Sequence, residues 1–216
     1  MPSQSYRELK SSIRELRCHL LPARFDKNGL YRSRVFTGVI AFRVLSHAAI
    51  EDYIETRVAE IAIKAASHCS RTKKISEPAA HIASFTEKSY GVPPDTFNPP
   101  QKNQAKDWPE RVDLVARVVG AASVFVNFVK RENHGIREKN LMRLLLSVGL
   151  RYSDIDPVLV AELDSFGEKR GEVAHSSTAK HARKNPNPED ELSRVNQLVA
   201  LIKDLDGKLD RVLHSI

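Results

Sequence analysis

The chain has 216 residues, of which 41% are apolar and 28% charged, a balance that excludes a disordered polymer and suits one well-filled core. Its net charge of +7 admits nucleic acid as a partner without requiring it. Two cysteines, Cys18 and Cys69, are too few for a disulfide framework and point to a reducing compartment.

The predicted elements follow helical periodicity. Tyr6 to Leu21 forms an amphipathic helix, with Leu9, Ile13, Leu16 and Leu20 on one face and Pro22 stopping it. Arg7, Lys10, Arg14 and Arg17 interrupt this start before any apolar run develops, which argues against a secretory leader. Asp26-Lys27-Asn28-Gly29 signals a turn. A long helix then runs from about Arg34 to His68, where Phe36, Ile40, His47, Ile50, Ile54, Val58, Ile61 and Ala65 keep the three-four spacing. Between Gly91 and Pro109 the pairs Pro93-Pro94, Pro99-Pro100 and Trp108-Pro109 exclude regular helix and predict a proline-rich loop.

Helices resume at Val112 to Lys130 and Ile136 to Val148. The apolar stretch from Val112 to Val129 holds Asp113, Arg117 and Asn127, so it reads as a buried helix and not a membrane span. Asp156-Pro157 starts the next helix, with aspartate as cap and proline in the first turn. Along it Leu159, Leu163, Phe166, Arg170 and Val173 share one side, which predicts that Arg170 continues the apolar face inward. Asn187-Pro188 begins the last helix, carrying Leu192, Val195, Val199, Ile202, Leu209 and Leu213 at docking spacing. Few segments alternate with a period of two. The expectation is a single all-α domain over residues 1–216, a helical bundle with a long core helix and a loop insert at about 91–109, in the cytoplasm.

The chemistry concentrates in Glu168-Lys169-Arg170-Gly171-Glu172-Val173-Ala174-His175-Ser176-Ser177. A permanent guanidinium and a titratable imidazole five residues apart suit phosphate chemistry: one neutralises a phosphorane, the other moves a proton near neutral pH. On an ideal helix they stand roughly 140° and 7.5 Å apart and would flank a shared ligand. Spacing alone is weak, since about two such matches arise by chance in a chain of this composition. Arg14 and His19 make a second match, set among Ile13, Leu16, Leu20 and Leu21, where a surface pair is the plain reading. Around Arg170 the small residues Gly171, Ala174, Ser176 and Ser177 would admit another backbone or a substrate. A surface pair at a helix end is the alternative there too.

Glu132-Asn133-His134-Gly135-Ile136, Leu141-Met142-Arg143-Leu144-Leu145, Leu163-Asp164-Ser165-Phe166-Gly167 and Arg170-Gly171-Glu172-Val173-Ala174-His175, with Ser46-His47-Ala48-Ala49-Ile50-Glu51-Asp52-Tyr53, resemble the HEPN superfamily, most closely its RiboL-PSP-HEPN type. The resemblance implies an all-α bundle and a metal-independent endoribonuclease with no cofactor, often a toxin or an anti-phage defence component. It further implies an RNA substrate and a homodimer whose two motifs face one composite cleft; an antitoxin or defence partner is left open, and the charged residues of the apolar stretch argue against a membrane. Carried over, the motif residues are Arg170 and His175; the Asn or Asp that often follows the arginine is here Gly171. The chemistry implied is attack of a ribose 2′-hydroxyl on its own 3′-phosphate, with His175 as base or acid and Arg170 bonding the nonbridging oxygens.

Other candidates surround this pair. Arg43, His47, Glu51 and Glu55 recur every four residues as a polar row on the long helix. Either the row is a solvated ladder, or Glu51 reaches Arg170 or His175 and joins the catalytic set. Lys169, Ser176, Lys180, Arg183, Lys184 and His47 are candidates for RNA contact, while Arg71, Lys73 and Lys74 read as solvated surface. His134 reads as a helix-boundary residue. Cys18-His19 and His68-Cys69 lack the ligand spacing of a zinc site, so no metal is expected. No phosphate-cradling GxxxxGK[ST] loop or GxSxG elbow is present. The alternative function is a noncatalytic helical module binding RNA, nucleotide or a partner protein; a third is a structural subunit of a larger assembly.

Overall fold

A computed structural model of the chain describes residues 1–86, 114–174 and 185–216, with side chains described to residue 171 in the middle stretch. The proline-rich loop at 91–109 lies outside the described residues. Among those residues there are seven α-helices, one 3-10 turn and no strand. No helix there is long and apolar enough to cross a membrane.

Helix α1 (Gln4–Leu20) starts where the Ser3 hydroxyl accepts from the Tyr6 N–H at 3.1 Å, and it buries Tyr6, Leu9 and Ile13. Its end meets α2 (Ser33–Thr72) at Gly38, where any Cβ would fall on the Leu20 carbonyl oxygen. The turn expected at Asp26 closes through the Gly29 N–H on the Asp26 carbonyl at 3.1 Å, with Gly29 at φ +67.

Helix α2 has 40 residues, about 60 Å at 1.5 Å per residue, and packs against every other described helix. All eight positions expected on its inner face are buried. It runs one turn beyond the expected end, to a left-handed cap at Lys73 whose N–H reaches the Cys69 carbonyl at 2.9 Å. The next helix, α3 (Glu77–Thr86), was not foreseen from the sequence. It is short, and its inward residues Pro78, Ala79 and Ile82 give a weak periodic signal; Pro78 is tolerated because it falls in the first turn.

Helices α4 (Leu114–Arg131), α5 (Glu138–Ser147) and α6 (Pro157–Ala174) follow the expected segments, and the 3-10 turn Tyr152–Asp154 leads into α6. Asp156 caps α6, its carboxylate accepting from the Val158 N–H at 2.9 Å. Helix α7 (Pro188–His214) is capped by Asn187, whose side chain accepts from Glu189 N–H at 2.8 Å. The main core joins α1, α2 and α4 to α7 through residues such as Ile13, Ile54, Phe125, Leu144, Phe166 and Ile202.

A polar knot fixes the chain start to this core. Buried Asp206 accepts from the Ser3 N–H at 2.8 Å and the Tyr53 hydroxyl at 2.9 Å, with Arg57 Nε at 3.7 Å. Burial, then the Asp206 charge, pushes the Tyr53 phenol far above its ordinary value. The knot ties α1, α2 and α7, and leaves α2 to carry its other polar row toward α6.

Candidate active site

On α6 the apolar stripe of Leu159, Leu163 and Phe166 is buried, but Arg170, expected to continue it inward, is exposed. One turn past Phe166 the helix faces a groove instead of a packed neighbour. This groove, of about 440 Å³, is bounded by Gly167, Glu168, Arg170 and Gly171 of α6, by His134, Gly135 and Arg137 of the α4–α5 loop, and by His47 of α2. A cleft of similar size, about 430 Å³, lies between α3, α4 and α5 around Phe85, Phe128 and Tyr152. Its lining holds no histidine and nothing from α6, so the groove at Arg170 is the better chemical candidate.

His47 sits beneath Arg170. It is 2% exposed, with its ring centroid 5.8 Å from that of Phe166. Burial and then the positive charge of Arg170 lower its pKa from 6.5 to about 4, so the ring is neutral at neutral pH. Its Nδ1 is buried without a hydrogen-bond partner, and the nearest carboxylate oxygen, Glu51 Oε2, stands 3.6 Å away. Close approach from α6 is possible because residue 167 is glycine: an added Cβ would come within 3.5 Å of His47 Nε2 and 3.0 Å of Arg137 Cγ.

The polar row of α2 turns inward and is not a solvated ladder. Helix α2 is enclosed by its neighbours, so even the stripe beside its apolar face finds partners. Arg43 Nε donates to Glu191 Oε1 of α7 at 2.9 Å. Glu51 accepts from the Gly135 N–H, and Glu55 accepts from Asn133 Nδ2 at 2.6 Å. Burial raises the Glu55 pKa, with the Asn133 hydrogen bond opposing. Glu51 thus meets His47 and the α4–α5 loop; its relation to His175 lies outside the described residues.

That loop is held from several sides. Gly135 adopts φ +116, a conformation that favours glycine. Asn140 Nδ2 donates to the His134 carbonyl at 3.2 Å, and Asn133 Nδ2 donates to the Gly135 carbonyl at 3.2 Å. His134 follows the end of α4, as the boundary reading expected, and its exposed side borders the groove. Arg137, not singled out in the sequence, pairs side-on with Asp164 of α6, Nε to Oδ1 at 3.1 Å and Nη2 to Oδ2 at 3.4 Å. Asp164 Oδ1 also accepts from the Glu138 N–H at 3.1 Å, at the start of α5. The hydrogen bond from Arg137, then that from Glu138, holds the Asp164 carboxyl below its usual range, and the same pairing raises Arg137. The available signal was the run of polar residues and glycine from Glu132 to Asn140, a composition that marks a structured loop.

Of the other candidates, Lys169 is exposed on α6, and His175, Ser176, Lys180, Arg183 and Lys184 lie outside the described residues. A Cβ at Gly171 would meet nothing within 4 Å, so within the described chain this glycine faces open space. Arg14 and His19 are exposed on α1, and Arg71, Lys73 and Lys74 are exposed at the end of α2. No group of three or more His, Cys, Asp or Glu is placed to hold a metal among the described residues.

The arrangement offers a guanidinium over an open groove, a buried neutral imidazole beneath it and a second guanidinium contributed by the α4–α5 loop. These groups can bind an anionic, phosphate-bearing ligand. No curated protein and no solved structure is significantly similar to the chain. The family model described as RiboL-PSP-HEPN matches residues 8–211, nearly the whole of the sequence and all seven helices but the outer turns of α1 and α7. The chain belongs to the RiboL-PSP-HEPN family.

Proposed function

We propose that the protein is a metal-independent endoribonuclease acting through Arg170 and His175, in a toxin or anti-phage defence setting. Members of HEPN families are commonly metal-independent ribonucleases, and this membership supports an RNA-related role. The observation that carries the reading is Arg170, exposed over a groove of about 440 Å³ whose lining includes a second arginine, Arg137. Arg170 has no carboxylate partner among the described residues, and an arginine so placed at an open cleft is suited to a phosphate.

In the proposed reaction the ribose 2′-oxygen forms a bond to the adjacent phosphorus while the bond from phosphorus to the 5′-oxygen breaks. His175 of one subunit takes the 2′-hydroxyl proton, and His175 of a second subunit protonates the leaving 5′-oxygen. Arg170 donates to the nonbridging oxygens as negative charge builds on them. The products are a 2′,3′-cyclic phosphate and a free 5′-hydroxyl. DNA lacks the attacking group and is not cut.

The test is incubation of the purified protein with mixed RNA in EDTA, beside the double variant Arg170→Ala, His175→Ala. Cyclic-phosphate products from the wild type alone support the reading. Cleavage that needs a divalent metal, or that survives in the double variant, refutes it. Binding of RNA with no cleavage would favour a noncatalytic module.

A further inference from the structure

We propose that Arg137, aligned by Asp164, forms a second phosphate-binding subsite in the groove, taking a backbone phosphate next to the one at Arg170. A single-stranded RNA then lies between α6 and the α4–α5 loop. The proposal rests on the ribonuclease reading for the identity of the polyanion, and its own observations are the geometry of the loop.

Arg137 of the α4–α5 loop and Arg170 of α6 border the same groove, with Glu168 the one carboxylate among its described lining residues. Asp164 grips Arg137 through Nε and Nη2. That side-on grip spares Nη1, so the outer edge of the planar fork keeps donors for a further anion. As a device for stability the pair offers little, since Arg137 is 59% exposed and an ion pair so open to water is largely screened. Its surroundings are nonetheless firmly built. Asp164 is fixed in turn by the Glu138 N–H, and Glu51, Glu55 and Asn140 hold the loop from beneath. Gly167 leaves room for the Arg137 stem to lie against α6, since a Cβ there would come within 3.0 Å of its Cγ. A guanidinium set on such a platform loses little freedom when it meets a phosphate, which is the condition for productive binding.

The alternative is that Arg137 and Asp164 are a plain surface pair, and the two accounts differ in sign. Asp164→Asn raises the net charge by one. Nonspecific attraction then predicts tighter binding of a polyanion. Loss of alignment predicts weaker binding. The asparagine oxygen can still accept from the Glu138 N–H, so the start of α5 is retained.

The experiment is fluorescence-anisotropy titration of a short single-stranded 2′-O-methyl RNA, which cannot be cleaved, over a series of salt concentrations. Wild type, Arg137→Ala and Asp164→Asn are compared, with thermal melts to confirm folding. Arg137→Ala is expected to weaken binding several-fold and to lower the slope of log affinity against log salt by about 0.7, the value for one phosphate contact on a single strand. Asp164→Asn is expected to weaken binding despite its added charge. An unchanged slope for Arg137→Ala, or tighter binding by Asp164→Asn, overturns the proposal. Cleavage of the all-ribose strand by wild type and Arg170→Ala is scored separately: no cleavage by the wild type, or undiminished cleavage by Arg170→Ala, sinks the ribonuclease reading, while the salt slope still decides the subsite.

Discussion

Acid should destabilise this protein through His47, and the size of the effect follows from its setting. The imidazole is buried beneath Arg170, with its pKa lowered from 6.5 to about 4. Between those values the unfolded chain binds a proton that the folded chain does not, so folding free energy falls as pH falls. The contribution is fully present above pH 6.5 and is lost as pH drops through the folded value of about 4. At about 1.4 kcal/mol per pH unit the loss amounts to about 3 kcal/mol. Glu55 acts in the opposite sense: its raised pKa means that protonation on acidification favours the folded state. A difference measurement removes that contribution. Urea unfolding of wild type and His47→Phe at steps from pH 7.5 to 4.5 should show the variant holding its stability where the wild type declines. Phenylalanine keeps the contact with Phe166 and removes a buried nitrogen that has no hydrogen-bond partner, so it should cost little at pH 7.5. Parallel pH profiles for the two proteins would refute the reasoning.

Other substitutions test the remaining joints. Gly38→Ala should destabilise by about 1–3 kcal/mol, read by urea unfolding, because its Cβ would strike the Leu20 carbonyl oxygen and drive the end of α1 off α2. Gly167→Ala gains up to about 1 kcal/mol of helix propensity yet crowds Arg137 and His47, so RNA affinity should fall while thermal stability stays near wild type. Asp206→Ala removes the shared partner of Ser3, Tyr53 and Arg57, for a loss of about 3 kcal/mol. Hydrogen exchange should then show α1 opening ahead of the core. Glu51→Gln keeps an oxygen for the Gly135 N–H but loses the charge, so any fall in nuclease rate beyond its effect on melting temperature marks a role in the site.

The architecture was largely legible because its helices are amphipathic and end at readable caps. Asp156-Pro157 and Asn187-Pro188 each supply a side-chain acceptor and a pre-set φ, and both helices start there. Short α3 was missed because alanine and proline give little periodic contrast over ten residues. The inward turn of the Arg43, His47, Glu51 and Glu55 row was undecidable from spacing. A four-residue repeat fixes that side chains share a face, but not whether another element covers that face. Arg170 went the other way: its register continued a buried stripe, yet the groove begins where Phe166 ends. Arg137 and Asp164 escaped because they are 27 residues apart and meet only once α5 and α6 have packed.

The two arginine–histidine spacings start from arginines in different surroundings. Arg14 and His19 ride an exposed surface of α1, whereas Arg170 stands above a row of α2 side chains that engage three other elements. Arg43 ties that row to α7, His47 meets Phe166 of α6, and Glu51 and Glu55 hold the α4–α5 loop. The His47 imidazole beneath Arg170 is kept neutral by burial, so it adds no second positive charge behind the guanidinium. Protonating His47 would put that charge in place, buried and beside Arg170, at a direct cost to the packing of α6 on α2. His47 therefore costs stability from about pH 6.5 downward, while the folded protein keeps it neutral until the pH nears 4. RNA binding should thus outlast the first loss of stability, and His47→Phe should remove that loss.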